Sequence, residues 1–138
     1  MTLLLQTVFA FALASSVLVA FRRGERDEKC VAVALLIASL ATPLAQTSAF
    51  DTMQYGIFVV DALLLMLLVY VALTSRRYWP MFAAGFQLTI LLFHLATDIG
   101  VRVVPAAYAD SIVIWSYLVV ATLLLGTFVE SARREPQP

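Results

Sequence analysis

Asp61 stands inside an otherwise apolar run, Tyr55 to Ser75, and His94 and Asp98 stand near the end of another, Pro80 to Ile99. A carboxylate or imidazole is costly to place in such a run, so it needs a partner, a proton or a ligand. On a helix Gln87, His94 and Asp98 share one face, because steps of seven and four residues both come close to whole turns. Ala83 and Ala84 begin the same stripe and allow a neighbouring helix to come near. Gln6 lies at a similar depth if the first apolar run is also a span. Trp115 and Tyr117 lie where they could roof the group. These residues predict one polar cluster, Asp61, His94, Asp98, Gln6 and Gln87, serving as a proton or ligand site.

Three chemistries fit such a cluster. A carboxylate–imidazole pair can take up and release protons, as a proton-coupled carrier or a quinone-reactive protein requires. His94, Asp98 and Asp61 are acceptable donors for a catalytic divalent metal, although His-x-x-x-Asp recurs by chance and marks no firm metal site. His94 could also give one axial nitrogen to a haem or chlorin shared with a partner subunit, or the pair could face a shared quinone. A purely structural role stands beside each of these. Asp98 can be solvated at the interface, His94 can bond Asp98 or Asp61, and Gln6 and Gln87 can join helices.

The elements that would position these groups follow from composition. Of 138 residues, 62% are hydrophobic and 13% charged, with mean hydropathy +0.94. A soluble domain carries about a quarter charged residues, and a chain this small cannot hide the apolar excess in one core. Apolar runs of about twenty residues match a bilayer's hydrocarbon thickness. They are apolar on every side, whereas barrel strands alternate, so helices are expected. The reading is an all-α integral membrane protein, one transmembrane domain over 1–138, with five short helices near 2–21, 30–45, 55–75, 80–99 and 110–132. Pro43 should kink or end the second. Gly100 to Ala109, with Pro105, should be a loop. Ala12-Leu13-Ala14 looks like a cleavage site, but no positive charge precedes it and the apolar run continues to Phe21, so the first helix is expected to be uncleaved.

Eight of the nine Lys and Arg residues fall on one side if there are five spans, Arg102 alone on the other. Positive charge concentrates on cytoplasmic connections, so the N-terminus should lie outside and the C-terminus inside. Tyr78 and Trp79 would anchor the inner interface, Tyr55 and Tyr108 the outer. Arg22, Arg23, Arg76 and Arg77 are candidates for contact with anionic lipid head groups. The string Arg77-Tyr78-Trp79-Pro80 followed by Gln87 and His94 resembles small bacterial membrane proteins and implies no activity. The location expected is a plasma (inner) membrane.

Zero net charge and the lack of a basic tract argue against nucleic-acid binding. Cys30, the single cysteine, cannot form an intrachain disulfide. No phosphate-binding glycine loop is present. The first reading is a non-catalytic subunit of a larger membrane assembly or homo-oligomer. Small residues on several faces (Ala10, Ala14, Ala34, Ala38, Ala121 and Gly126) suit further helix neighbours. The alternative is a proton-coupled carrier or quinone-reactive protein using Asp61 and His94. A metal-dependent membrane enzyme comes third.

Overall fold

Leucine, valine and alanine runs with no period-two alternation close their backbone hydrogen bonds within each segment, the form an apolar solvent demands. The computed structural model describes residues 2–45, 55–98 and 105–134, with side chains over 4–44, 55–96 and 111–134. Five helices result: α1 Thr2–Arg23, α2 Arg26–Ala45, α3 Tyr55–Thr74, α4 Trp79–Asp98 and α5 Pro105–Arg134. The protein is an all-α polytopic membrane protein, and α1, α3, α4 and α5 are each long and apolar enough to cross a bilayer. Helix α2 differs because its first turn carries Arg26, Asp27, Glu28 and Lys29. Its uncharged part, Cys30 to Ala45, extends roughly 24 Å.

Two boundaries depart from the sequence reading. The charged stretch after α1 is not a loop, because only Gly24 and Glu25 separate the first two helices. The Glu28 carboxylate accepts a hydrogen bond from the Glu25 backbone N–H at 2.9 Å, the returning half of a capping box that starts α2 early. Helix α5 begins at Pro105 rather than Asp110. Proline suits a first helical position, where its fixed φ helps and its missing N–H is not needed. Pro43 lies inside α2, two residues before its last. The connections 46–54 and 99–104, including Arg102, lie outside the described residues.

Each helix packs against its neighbours in the chain, α5 closes against α1, and α2 also touches α5. The bundle is therefore a ring of five. Its core runs from Leu13 and Ala20 through Val31, Leu68 and Ile90 to Val119 and Leu123. Trp79, expected to anchor the inner interface, turns its ring into the bundle and is buried there. Its ring fills the place where Gly126 of α5 has no side chain, so a Cβ there would collide with the indole. Gly126 thus serves packing inside the bundle and offers no face to a further helix.

At one end the α1–α2 junction, the α3–α4 turn and the end of α5 are tied by charge. Arg77 bonds Glu28 and Glu25 and approaches Glu130 at 4.0 Å. Arg134 adds a bridge to Glu25 at 3.1 Å. Burial alone would push the Glu28 carboxyl up, but its hydrogen bond from Arg77, those from the Glu28 and Glu25 backbone N–H groups and the Arg77 charge outweigh this and hold it below the ordinary value. Burial likewise disfavours the Arg77 cation, yet the two carboxylates raise its pKa above the ordinary value. This corrects the lipid-contact expectation for Arg77, whose side chain is only 13% exposed and committed to carboxylates. Arg22 and Arg76 remain exposed, and Arg23 lies over the Phe128 ring at 5.6 Å.

Candidate functional site

Asp61 lies six residues into α3, roughly 9 Å along the axis and past the turn that helix-end dipoles stabilise. It must therefore find partners on a neighbouring helix. The short link from Ser75 to Tyr78 makes α3 and α4 adjacent and antiparallel, which brings the end of α4 alongside the start of α3. The inward face of α4 is Ala83, Gln87, Ile90 and His94, all buried. The small side chain at Ala83 lets α4 sit close to its neighbours, and Gln87 and His94 follow at helical spacing.

Both oxygens of Asp61 are held. His94 Nε2 lies 3.1 Å from Oδ2, and Gln87 Nε2 donates to Oδ1 at 2.9 Å. The Gln87 amide also reaches the Asp61 carbonyl oxygen at 3.4 Å. Facing two acceptors, the Gln87 amide must present its NH2 group here. An ionised Asp61 likewise makes Nε2 of His94 the protonated ring nitrogen. Gln87 and His94 are each 2% exposed, so the contact is shielded from solvent.

The carboxylate stands on the wall of a cavity of about 430 Å³ to which every helix contributes. Its polar lining is Gln6 from α1, Ser39 and Thr42 from α2, Asp61 from α3, Gln87 from α4 and Ser116 from α5. Phe9, Leu35, Leu64, Val119 and Val120 form much of the remainder. The cavity occupies the half of the bundle away from the Arg77 network.

Of the residues singled out from sequence, Asp61, His94 and Gln87 come together, with Asp61 and Gln87 on the cavity wall. Gln6 reaches the same cavity, but among the described residues no hydrogen bond links it to Asp61. The Asp98 side chain lies outside the described residues. Among those described, no three His, Cys, Asp or Glu side chains gather as a metal centre needs.

Trp115 and Tyr117 do not roof the cluster. Tyr117 donates to the Leu5 carbonyl at 2.7 Å and meets the Phe9 ring edge-on, while Trp115 packs on Phe86. Ser116 between them turns to the cavity, because consecutive helical residues point about 100° apart. Sequence reasoning missed Ser39, Thr42 and Ser116. Isolated hydroxyls are common in membrane helices as backbone-bonding groups, and only the tertiary packing brings these three to one space.

Comparison of the chain with protein-family models, with curated proteins and with solved structures finds no match.

Proposed function

We propose that this protein is a small proton-coupled carrier that takes its ligand into the bundle interior. The observation that carries this reading is the cavity lined by all five helices, with Asp61 on its wall and His94 bonded to Asp61 from behind that wall. A structural pair needs no adjoining space, whereas a binding site does, and this volume lies in the usual range for small-molecule sites. The pair keeps its contact in either protonation state. A neutral imidazole donates from Nε2 to the carboxylate, and its other tautomer accepts at Nε2 from the carboxylic acid. A proton can thus enter or leave Asp61 without breaking the helix pair.

In this reading the chain crosses a bacterial inner membrane five times, α2 included, with its N-terminus outside. The Arg77 network then lies at the cytoplasmic end and the cavity in the outer half, as the distribution of Lys and Arg supports. The proposed role is binding and transfer rather than catalysis.

The test uses the protein in liposomes that hold a pH-sensitive dye, with small solutes offered in turn: organic cations, zwitterions, polyols and a short-chain quinol. At least one should drive proton movement with the wild type and none with Asp61→Asn. That variant should keep its fold, since an amide still bonds His94. Equal proton movement by both proteins, or none by either, rejects the carrier. A second reading, a subunit of a larger assembly, is favoured by Ala10 and Ala14, which lie exposed four residues apart on α1. It would replace the first if the protein purifies with partner chains and Asp61→Asn is silent.

A further inference from the structure

The hydrogen-bonding groups already in use around the cavity define what it can hold. Ser39 Oγ donates to the Leu36 carbonyl at 2.9 Å, Thr42 Oγ1 to Ala38 at 2.8 Å and Ser116 Oγ to Ile112 at 2.8 Å. A hydroxyl has one proton and two lone pairs, so each of these lining groups has only acceptor capacity left. Gln87 commits its NH2 to Asp61, and the Nε2 of His94 serves Oδ2. Once its proton has left, Asp61 is an acceptor on both oxygens and accommodates more than two donors. Only Gln6 brings N–H groups that are uncommitted among the described residues. The wall is therefore rich in acceptors and poor in donors.

Such a wall favours a ligand that donates, and a carboxylate in an apolar setting favours one that is positively charged. A bare metal ion would leave most of the roughly 430 Å³ unfilled, and Leu35, Leu64, Val119 and Val120 suit hydrocarbon. An oxidised quinone offers acceptors alone and would set lone pairs against lone pairs. We infer that the cavity takes a small organic cation with N–H donors, a primary or secondary ammonium on a hydrocarbon body, with Asp61 as its counter-ion. This rests on the carrier reading and names its substrate class. The exchange is ionic. The ammonium occupies the Asp61 oxygens, the proton held there departs to water, and no covalent bond to carbon forms or breaks.

The experiment titrates the protein in lipid nanodiscs with benzylammonium, benzyltrimethylammonium and benzyl alcohol, with proton release followed from about pH 5 to 8. Benzylammonium should bind saturably. The quaternary ion, charged but without N–H groups, should bind more weakly, and the neutral alcohol weakest. Asp61→Asn should weaken benzylammonium binding by on the order of tenfold or more, as loss of a charged hydrogen-bond partner does. Thr42→Val and Ser116→Ala, which leave the Asp61–His94 pair alone, should each weaken it about threefold or more. Equal binding of alcohol and ammonium, or unchanged binding in a folded Asp61→Asn protein, overturns the ligand class. Benzylammonium binding with no proton release at any pH rejects proton coupling and leaves the ligand class standing. Proton-coupled uptake of another solute, with no benzylammonium binding, does the reverse.

Discussion

At the scale of single residues, two carboxylates near opposite ends of the bundle meet different fates. Asp61 faces a cavity and is held by the His94 imidazole and the Gln87 amide. Glu28 is fully buried and held by Arg77, which is tied in turn to Glu25. Because folding depresses the Glu28 pKa, the stabilisation it supplies is complete above the ordinary carboxylate value. It is lost as pH falls through the lower, folded value. The melting temperature in detergent should therefore fall on acidification through that window, and Glu28→Gln should flatten the step. Arg77→Gln should destabilise strongly at neutral pH. Removing one partner of a buried pair costs about 3–5 kcal/mol in soluble hosts. Arg76→Gln, at an exposed position, should change stability by about 0.5 kcal/mol or less. An acid step undiminished in Glu28→Gln would assign it to other groups.

At the scale of elements, the α4–α5 contact depends on one missing side chain. Gly126 leaves the space that the Trp79 ring fills, whereas a Cβ built on Gly85 meets nothing within 4 Å. Gly85 and Gly126 should respond oppositely to alanine. Gly85→Ala gains helix propensity and should raise stability by up to about 1 kcal/mol. Gly126→Ala must displace a buried indole, and overpacking of this kind costs about 1–3 kcal/mol. Thermal unfolding of the two variants in the same lipid should separate them in sign. A tolerated Gly126→Ala would show that α4 and α5 can slide apart cheaply. The early start of α2 belongs to this scale too. Glu25 and Glu28 are spaced as a cap, yet they read from sequence as part of a topogenic charged loop, because the capping signal and the membrane-boundary signal use the same residues.

At the scale of the whole molecule, the ion pairs of Arg77 and Arg134 bring two connections and the end of α5 to one face of the bundle. In the proposed five-span orientation that face is cytoplasmic. A reporter active only in the cytoplasm should therefore give signal when fused after Pro138 and none when inserted within residues 46–50. The opposite pattern would mean that the orientation is inverted, and signal at both sites that one of α3, α4 and α5 does not cross.

Composition and apolar run length determined the helical membrane class, because lipid tolerates only segments that satisfy their own backbone. Helical spacing on α4 likewise put Gln87 and His94 on one face, and the short α3–α4 link made Asp61 their neighbour. Tertiary structure alone decided the rest. Whether Arg77 meets lipid or carboxylate depends on where the α1–α2 junction lies in space. Whether Trp115, Ser116 or Tyr117 faces the interior depends on the rotation of α5, and an all-round apolar helix carries little periodic signal to set it. The cavity is the clearest case. It is the space left among five helices whose polar residues are far apart in the chain, and no local pattern records a space.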